Sequence, residues 1–178
     1  GPGDDEAKSI VQTSDLGYAV CGSTTSSNLN VVGTSGNGEM LIMKLDASGN
    51  LLWQKILGGS NIDAGTSIIQ LSDGNILSTG FTNSTNGDVS ANLGNMDIWA
   101  IKLSQTGTEI WKKNYGSASF DKAAQVINTI DGGFAIAGES NAPIGGPVNP
   151  LFWGVNGLLV KADVNGNIQW QTQTGYTT

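Results

Sequence analysis

One register runs through this chain three times, and it constrains the fold more than any other feature. Asp5, Asp63 and Asp121 stand 58 residues apart, as do Asp15, Asp73 and Asp131, and Gly22, Gly80 and Gly138. Lys44, Lys102 and Lys161 follow at 58 and 59, together with Gly49, Gly107 and Gly166, and Trp53, Trp111 and Trp170. The one extra residue of the third copy falls between Gly138 and Lys161. Six columns in one register define a single repeat domain over residues 1–178, with repeats at 4–60, 61–118 and 119–178.

Each copy reads as four strands. Ser9 to Thr13, Ser67 to Leu71 and Gln125 to Thr129 are the first, and Tyr18 to Gly22, Ile76 to Gly80 and Phe134 to Gly138 the second. Between them stand Asp15-Leu16-Gly17, Asp73-Gly74-Asn75 and Asp131-Gly132-Gly133, the chemistry of a two-residue hairpin turn. The third strands are Met40 to Leu45, Ile98 to Leu103 and Leu158 to Ala162; a second turn leads to the tryptophan-bearing fourth. With 26 Gly and only 13% charged residues, the chain suits many short strands joined by turns. First and third strands carry adjacent apolar residues, which predicts cover on both faces. The fourth strands mix Lys with Trp and read as outer edges. The fold expected is all-β: three antiparallel blades of a β-propeller, forming a partial ring or one completed by oligomerisation. A β-trefoil, also three copies of four strands, is the alternative.

The chain has no histidine, which removes Ser-His-Asp and Cys-His arrangements and His-based metal sites. Its single cysteine, Cys21, aligns with Thr79 and Ala137 and reads as a small core filler. A net charge of −7 argues against nucleic acid and against docking on an anionic membrane. No apolar run approaches the length that crosses a bilayer. A catalytic carboxylate occurs once per active site, whereas these aspartates occur once per repeat, so they read as structural: Asp15, Asp73 and Asp131 in turns, Asp5, Asp63 and Asp121 as caps for loop N–H groups. A lysine inside an apolar strand needs a partner, and the repeated aspartates are candidates. The tryptophans at 53, 111 and 170 read as fillers between blades. An enzyme would need unrepeated acids, and Glu39, Glu109 and Glu139 have no evident partners; the expectation is no enzyme.

The unrepeated residues are the candidate ligand contacts: Trp153, Phe152, Trp99, Asn86 and Asp88. Trp99 and Trp153 belong to no repeated column, and exposed loop aromatics often bind. Asn83 to Asp88 with Asp97 offers oxygen donors of the kind Ca²⁺ takes, so Asp88 and Asp97 are the candidate metal ligands, without the spacing of an EF-hand loop. No other cofactor is expected. The loops 23–39, 81–97 and 139–157 differ while the strands agree, as in a scaffold that presents variable contacts.

Asp15 to Tyr18, Asp131 to Phe134, Lys44 to Trp53 and Gly58-Gly59-Ser60 carry a consensus: Asp-Gly-Gly-aromatic, then Lys-Leu-Asp-x-x-Gly-Asn-x-x-Trp. It resembles the tandem propeller-type repeats of secreted or surface proteins of Bacteroidota, associated with type IX secretion. The likeness covers essentially the whole chain; Leu16 and Asn75 depart from it where glycine is expected, and so does the third copy's loop from Pro143 to Pro150. It implies blades and an extracellular or cell-surface location, with no reaction or ligand. The function expected is a non-catalytic module that binds a glycan or protein through its blade loops; a structural spacer or assembly module of a larger secreted protein is the alternative, and a polysaccharide-acting enzyme the third. Three blades fall short of a ring. Either the chain is part of a longer array or it associates with copies of itself through its blade faces, two chains giving six blades.

Overall fold

The computed structural model describes residues 3–26, 37–143 and 154–174, and hairpin turns set the strand boundaries within them. The first copy forms β1 (Asp5–Gln12), β2 (Tyr18–Thr24), β3 (Glu39–Leu45) and β4 (Leu51–Leu57). The second forms β5 (Asp63–Gln70), β6 (Ile76–Thr82), β7 (Asp97–Leu103) and β8 (Glu109–Tyr115). The third forms β9 (Asp121–Asn128), β10 (Phe134–Ser140), β11 (Asn156–Ala162) and β12 (Ile168–Thr174). Each copy is one antiparallel meander with its strands in chain order, and no sheet among the described residues mixes strands from two copies. A trefoil would pair strands from different copies in one barrel. The structure is three blades.

All six described hairpin turns share one design, and it differs from the two-residue turn expected. Leu16 N–H donates to Thr13 O and Thr13 N–H to Gly17 O, both at 2.9 Å. The same pair of bonds recurs at Asp46/Asn50, Leu71/Asn75, Ser104/Thr108, Thr129/Gly133 and Asp163/Asn167. In each, the fourth residue takes a left-handed φ: Leu16 at 65°, and Gly49, Gly74, Gly107, Gly132 and Gly166 at 76–84°. This is a three-residue loop, a type I turn followed by a left-handed residue. The Asp carboxylate accepts from the N–H two residues on, as Asp15 does from Gly17 at 3.0 Å, and so fixes the turn before the left-handed position.

The first strand of every blade carries a bulge at the same place. Lys8, Thr66 and Ala124 are the residues skipped in the pairing with β2, β6 and β10. The bulge brings a first-strand carbonyl over the column of Gly22, Gly80 and Gly138. A Cβ there would lie 1.7 Å from Glu6 O, 1.8 Å from Ala64 O and 2.3 Å from Lys122 O. Only glycine fits.

Blades meet in two seams. Blade 1 turns Ala19, Cys21, Met40 and Ile42 toward Ile68, Ile76, Trp99 and Ile101 of blade 2. Blade 2 turns Leu77, Ile98, Ala100 and Tyr115 toward Val126, Phe134, Ile136 and Leu158 of blade 3. The first strands pack against each other, β1 on β5 and β5 on β9. Ser9 Oγ accepts from Ile68 N–H at 3.3 Å and Ser67 Oγ from Val126 N–H at 3.1 Å, so each seam carries the same polar pin. Burying an aliphatic side chain of this size is worth about 2 kcal/mol. The expectation that first and third strands are covered on both faces holds for the middle blade, whose β7 is buried throughout. It fails at β1 and β9, whose outer faces have no neighbouring blade among the described residues.

Leu16 is the one described non-glycine residue at positive φ, and it is largely exposed. A left-handed conformation costs an L residue about 1–2 kcal/mol. Leu16→Gly is expected to raise stability by about 1 kcal/mol in urea denaturation; an unchanged midpoint would mean that the turn holds Leu16 without cost.

Candidate functional site

The recurring polar groups are consumed within the blades. Lys44 Nζ meets Asp15 at 2.9 Å, Lys102 meets Asp73 at 2.6 Å and Lys161 meets Asp131 at 2.9 Å. Each lysine is buried in a third strand, and each aspartate sits in the first turn of its own blade. A second bond completes each site: Lys44 donates to Leu45 O, Lys161 to Ala162 O, and Lys102 across the seam to Val164 O at 3.1 Å. The Thr13 hydroxyl and then the Lys44 ammonium hold the Asp15 carboxyl down to about 2; Thr129 and Lys161 do the same for Asp131.

The second aspartate column ties blade to blade. Asp63, fully buried, accepts from Gly59 N–H at 2.8 Å, from Ser84 Oγ at 2.9 Å and from the Thr82 hydroxyl. Asp121 accepts from Ser117 N–H at 2.7 Å and Ser117 Oγ at 2.8 Å, and Asp5 from Ser26 and Thr24. Burial raises the Asp63 pKa, and the nearby Glu39 charge adds to it. Trp53 Nε1 donates to Gln105 O of blade 2 at 2.8 Å, and Trp111 stacks on Phe134 of blade 3 with centroids 6.0 Å apart. Trp170 has no blade beyond it among the described residues and is half exposed.

Three of the residues expected to contact a ligand, Trp99, Asn86 and Asp88, are taken up by the blades and their connections. Trp99 lies fully buried on β7 in the first seam, so its reading as a candidate ligand contact is corrected. It aligns with Leu41 and Leu158, an apolar column whose residue type changes from copy to copy. Asn86 Oδ1 accepts from Ser60 N–H at 2.9 Å, and Asp88 accepts from Gly58 N–H at 3.2 Å and pairs with Lys112 at 3.3 Å. Both pin the 81–97 loop to the connection between blades 1 and 2. Asp97 is buried and takes bonds from Leu93 N–H and Asn114 Nδ2. Burial raises its pKa, and the Asp121 charge adds to that. Asp88 and Asp97 thus have separate partners, and among the described residues no three metal-ligating side chains gather. Phe152 and Trp153 lie outside the described residues. Burial pushes the Cys21 thiol up to about 11, in keeping with a core filler.

What the structure does bring together is a cleft where the first strands converge. It measures about 400 Å³ and is lined by the bulge residues Lys8, Thr66 and Ala124, with Lys122 and Glu139. Lys122 and Glu139 face each other across β9 and β10, and the Lys122 ammonium sits 4.9 Å from the Phe81 ring centre. A smaller hollow of about 120 Å³ adjoins it, sharing Lys122 and Glu139 and adding Met96, Phe120 and Val155. Phe120 and Val155 are exposed there. The three acids considered for catalysis are dispersed: Glu39 in blade 1, Glu109 beside Lys112 in blade 2, Glu139 in blade 3. The cleft escaped sequence reasoning because a bulge leaves no signature in a column of Lys, Thr and Ala.

Two outcomes test the ion pairs. Asp73→Ala strands a buried ammonium and is expected to cost about 2 kcal/mol, while Asp73→Ala with Lys102→Met is expected to recover most of that loss; equal losses would show that Lys102 needs no partner. A carboxyl held below its unfolded value of about 3.9 stabilises fully above that pH, and the stability goes as pH falls through the folded value. The advantage of the native chain over Asp15→Asn should therefore be complete above pH ~5 and gone only below pH ~2 in denaturation curves. A gap that widens on acidification would refute it. Compared with known proteins, the chain matches no family model and no curated sequence.

Proposed function

We propose that the chain is a non-catalytic, exported propeller-type module that acts by contact, at the cell surface or outside the cell, with a glycan or a protein segment as its ligand. The observation that carries this reading is the cleft at the convergence of the first strands. Equivalent bulge positions hold Lys8, Thr66 and Ala124 there, so one scaffold presents three unlike side chains to one space. Its volume falls within the range of about 300–1,000 Å³ typical of ligand sites. The lining supplies two ammonium groups, a carboxylate and a hydroxyl. The adjoining hollow adds the exposed Phe120 ring, a surface suited to the face of a sugar or an apolar side chain. The blade consensus and its likeness to exported repeats support the location.

A second reading, an assembly or spacer module, is favoured by the apolar side chains left open on the outer faces of blades 1 and 3.

Glycan arrays and pull-downs from the surface fraction of a producing cell test the first reading. Lys122→Ala and Phe120→Ala are each expected to weaken a ligand about tenfold, the scale of a lost contact worth about 1.4 kcal/mol. Ser48→Ala, in a remote turn, should leave binding unchanged. Blank screens, or hits indifferent to both cleft substitutions, would discard it.

A further inference from the structure

Each seam joins the trailing face of one blade to the leading face of the next, and the columns show both halves of a third seam standing open. On the leading side, Ile68 and Val126 are 3% and 2% exposed, while their counterpart Ile10 in blade 1 is 63% exposed. On the trailing side, Ile42 and Ala100 are fully buried, while Leu159 in blade 3 is 38% exposed. Ile127 and Trp170 are open beside it, although Ile69 and Trp111 pack into the second seam.

The tryptophan and glycine columns match these two halves in detail. A Cβ on Gly107 would stand 2.9 Å from the Trp53 ring, and one on Gly166 would stand 3.1 Å from the Trp111 ring. In both seams the trailing tryptophan packs against the glycine of the following blade's second turn. Gly49 has the same left-handed conformation, at φ 84°, and nothing within 4 Å of its Cβ position. Among the described residues, Trp170 has no glycine turn against it and Gly49 no tryptophan.

We propose that the trailing face of blade 3 receives the leading face of blade 1 of a second copy, and that two chains close head to tail into one six-bladed ring. The occupant follows from continuity with the seams already built. The open trailing face is the counterpart of two faces that each bind a leading face of this repeat, and a second copy carries such a face. Trp170 then covers Gly49 of the partner, Ile10 enters against Ile127 and Leu159, and Gln125 takes the place of the Ser9 and Ser67 pins. A head-to-tail contact generates a closed ring only where the rotation closes. Propellers close with about 4–8 blades, and two copies of the three described blades give six, within that range. This inference rests on the assembly reading and not on the cleft.

Sedimentation equilibrium of the chain at about 1–100 µM, the range in which μM-scale association is resolved, is expected to give twice the 18.4 kDa chain mass. Trp170→Glu and Ile10→Asp change exposed residues and should each leave a folded monomer, with unaltered circular dichroism. Gly49→Asn is the independent check. Asparagine tolerates the left-handed conformation, and its Cβ meets nothing in the single chain, yet it should also abolish the dimer by displacing the partner's Trp170. Mixing Trp170→Glu with Ile10→Asp places both lesions in one seam and leaves the other native, so dimers should return. A monomer throughout the range would overturn the proposal. So would a dimer indifferent to these substitutions, or one that mixing fails to restore, which is the result expected of two like faces meeting. In each of those cases ligand binding at Lys122 would still stand or fall on its own measurement.

Discussion

A blade of this kind has no inside. Four strands in a meander leave two apolar faces, and the side chains on each can be hidden only by another sheet. The seam is therefore the unit of stability, and its key is the aliphatic side chain of the first strand, Ile68 or Val126, set into the preceding blade. Around it the same contacts repeat: the serine pin, the tryptophan over the glycine turn, and the aspartate that collects the connection between blades. Isolated hairpins of this length are marginal in water. The copies fold because they cover each other.

The Lys–Asp pair does different work from the seam. Burying an ammonium costs several kcal/mol, roughly offset when the geometry is good, so the pair is weak as a source of stability. What it does is geometric. It joins the turnward end of the third strand to the first turn, across the second strand, and it fixes which lysine rotamer and which turn conformation coexist. The Asp carboxylate is divided between the turn N–H and the ammonium, as at Asp15, which bonds Gly17 N–H and Lys44 together. The turn and the strand register are thereby chosen jointly, and a shift of one residue in β3 would leave a charge buried without its partner.

Much of this architecture was legible in the sequence because it is repeated. The blades, the Lys–Asp partners, the inter-blade tryptophans and the outer fourth strands all follow from columns whose chemistry recurs. The misreadings share one cause: a column was judged by residue identity where geometry decides. Trp99 looked unrepeated, yet it occupies the position of Leu41 and Leu158, and the seam accommodates its bulk beside Ala19 and Cys21. The turns are one residue longer than their Asp-Gly signature suggested, because the aspartate caps the N–H two residues on and leaves the left-handed position between. Asn86 and Asp88 resembled free loop ligands, but a loop of that length needs internal fastening, and they supply it. The cleft was illegible for the opposite reason. Lys8, Thr66 and Ala124 share nothing except the bulge that carries them.

The contrast between Trp99 and Lys8 gives a rule for chains built of copies. Variation at equivalent positions does not by itself mark a contact site, since a buried column can vary as long as neighbouring residues compensate in volume. Variation with shared exposure is more telling, because no packing constraint maintains or compensates it. By that measure the bulge column stands out from the seams: a cation, a hydroxyl and a methyl at one repeated backbone position, all facing the same space. The fold requires the bulge, since it sets the first-strand carbonyl over the Gly22, Gly80 and Gly138 column. It does not dictate which side chain stands there: Lys8 pairs with Glu6, while Thr66 bonds Ala123 O across the seam. That freedom, held on three rigid first strands, lets a scaffold of repeated sheets acquire a surface that is not repeated.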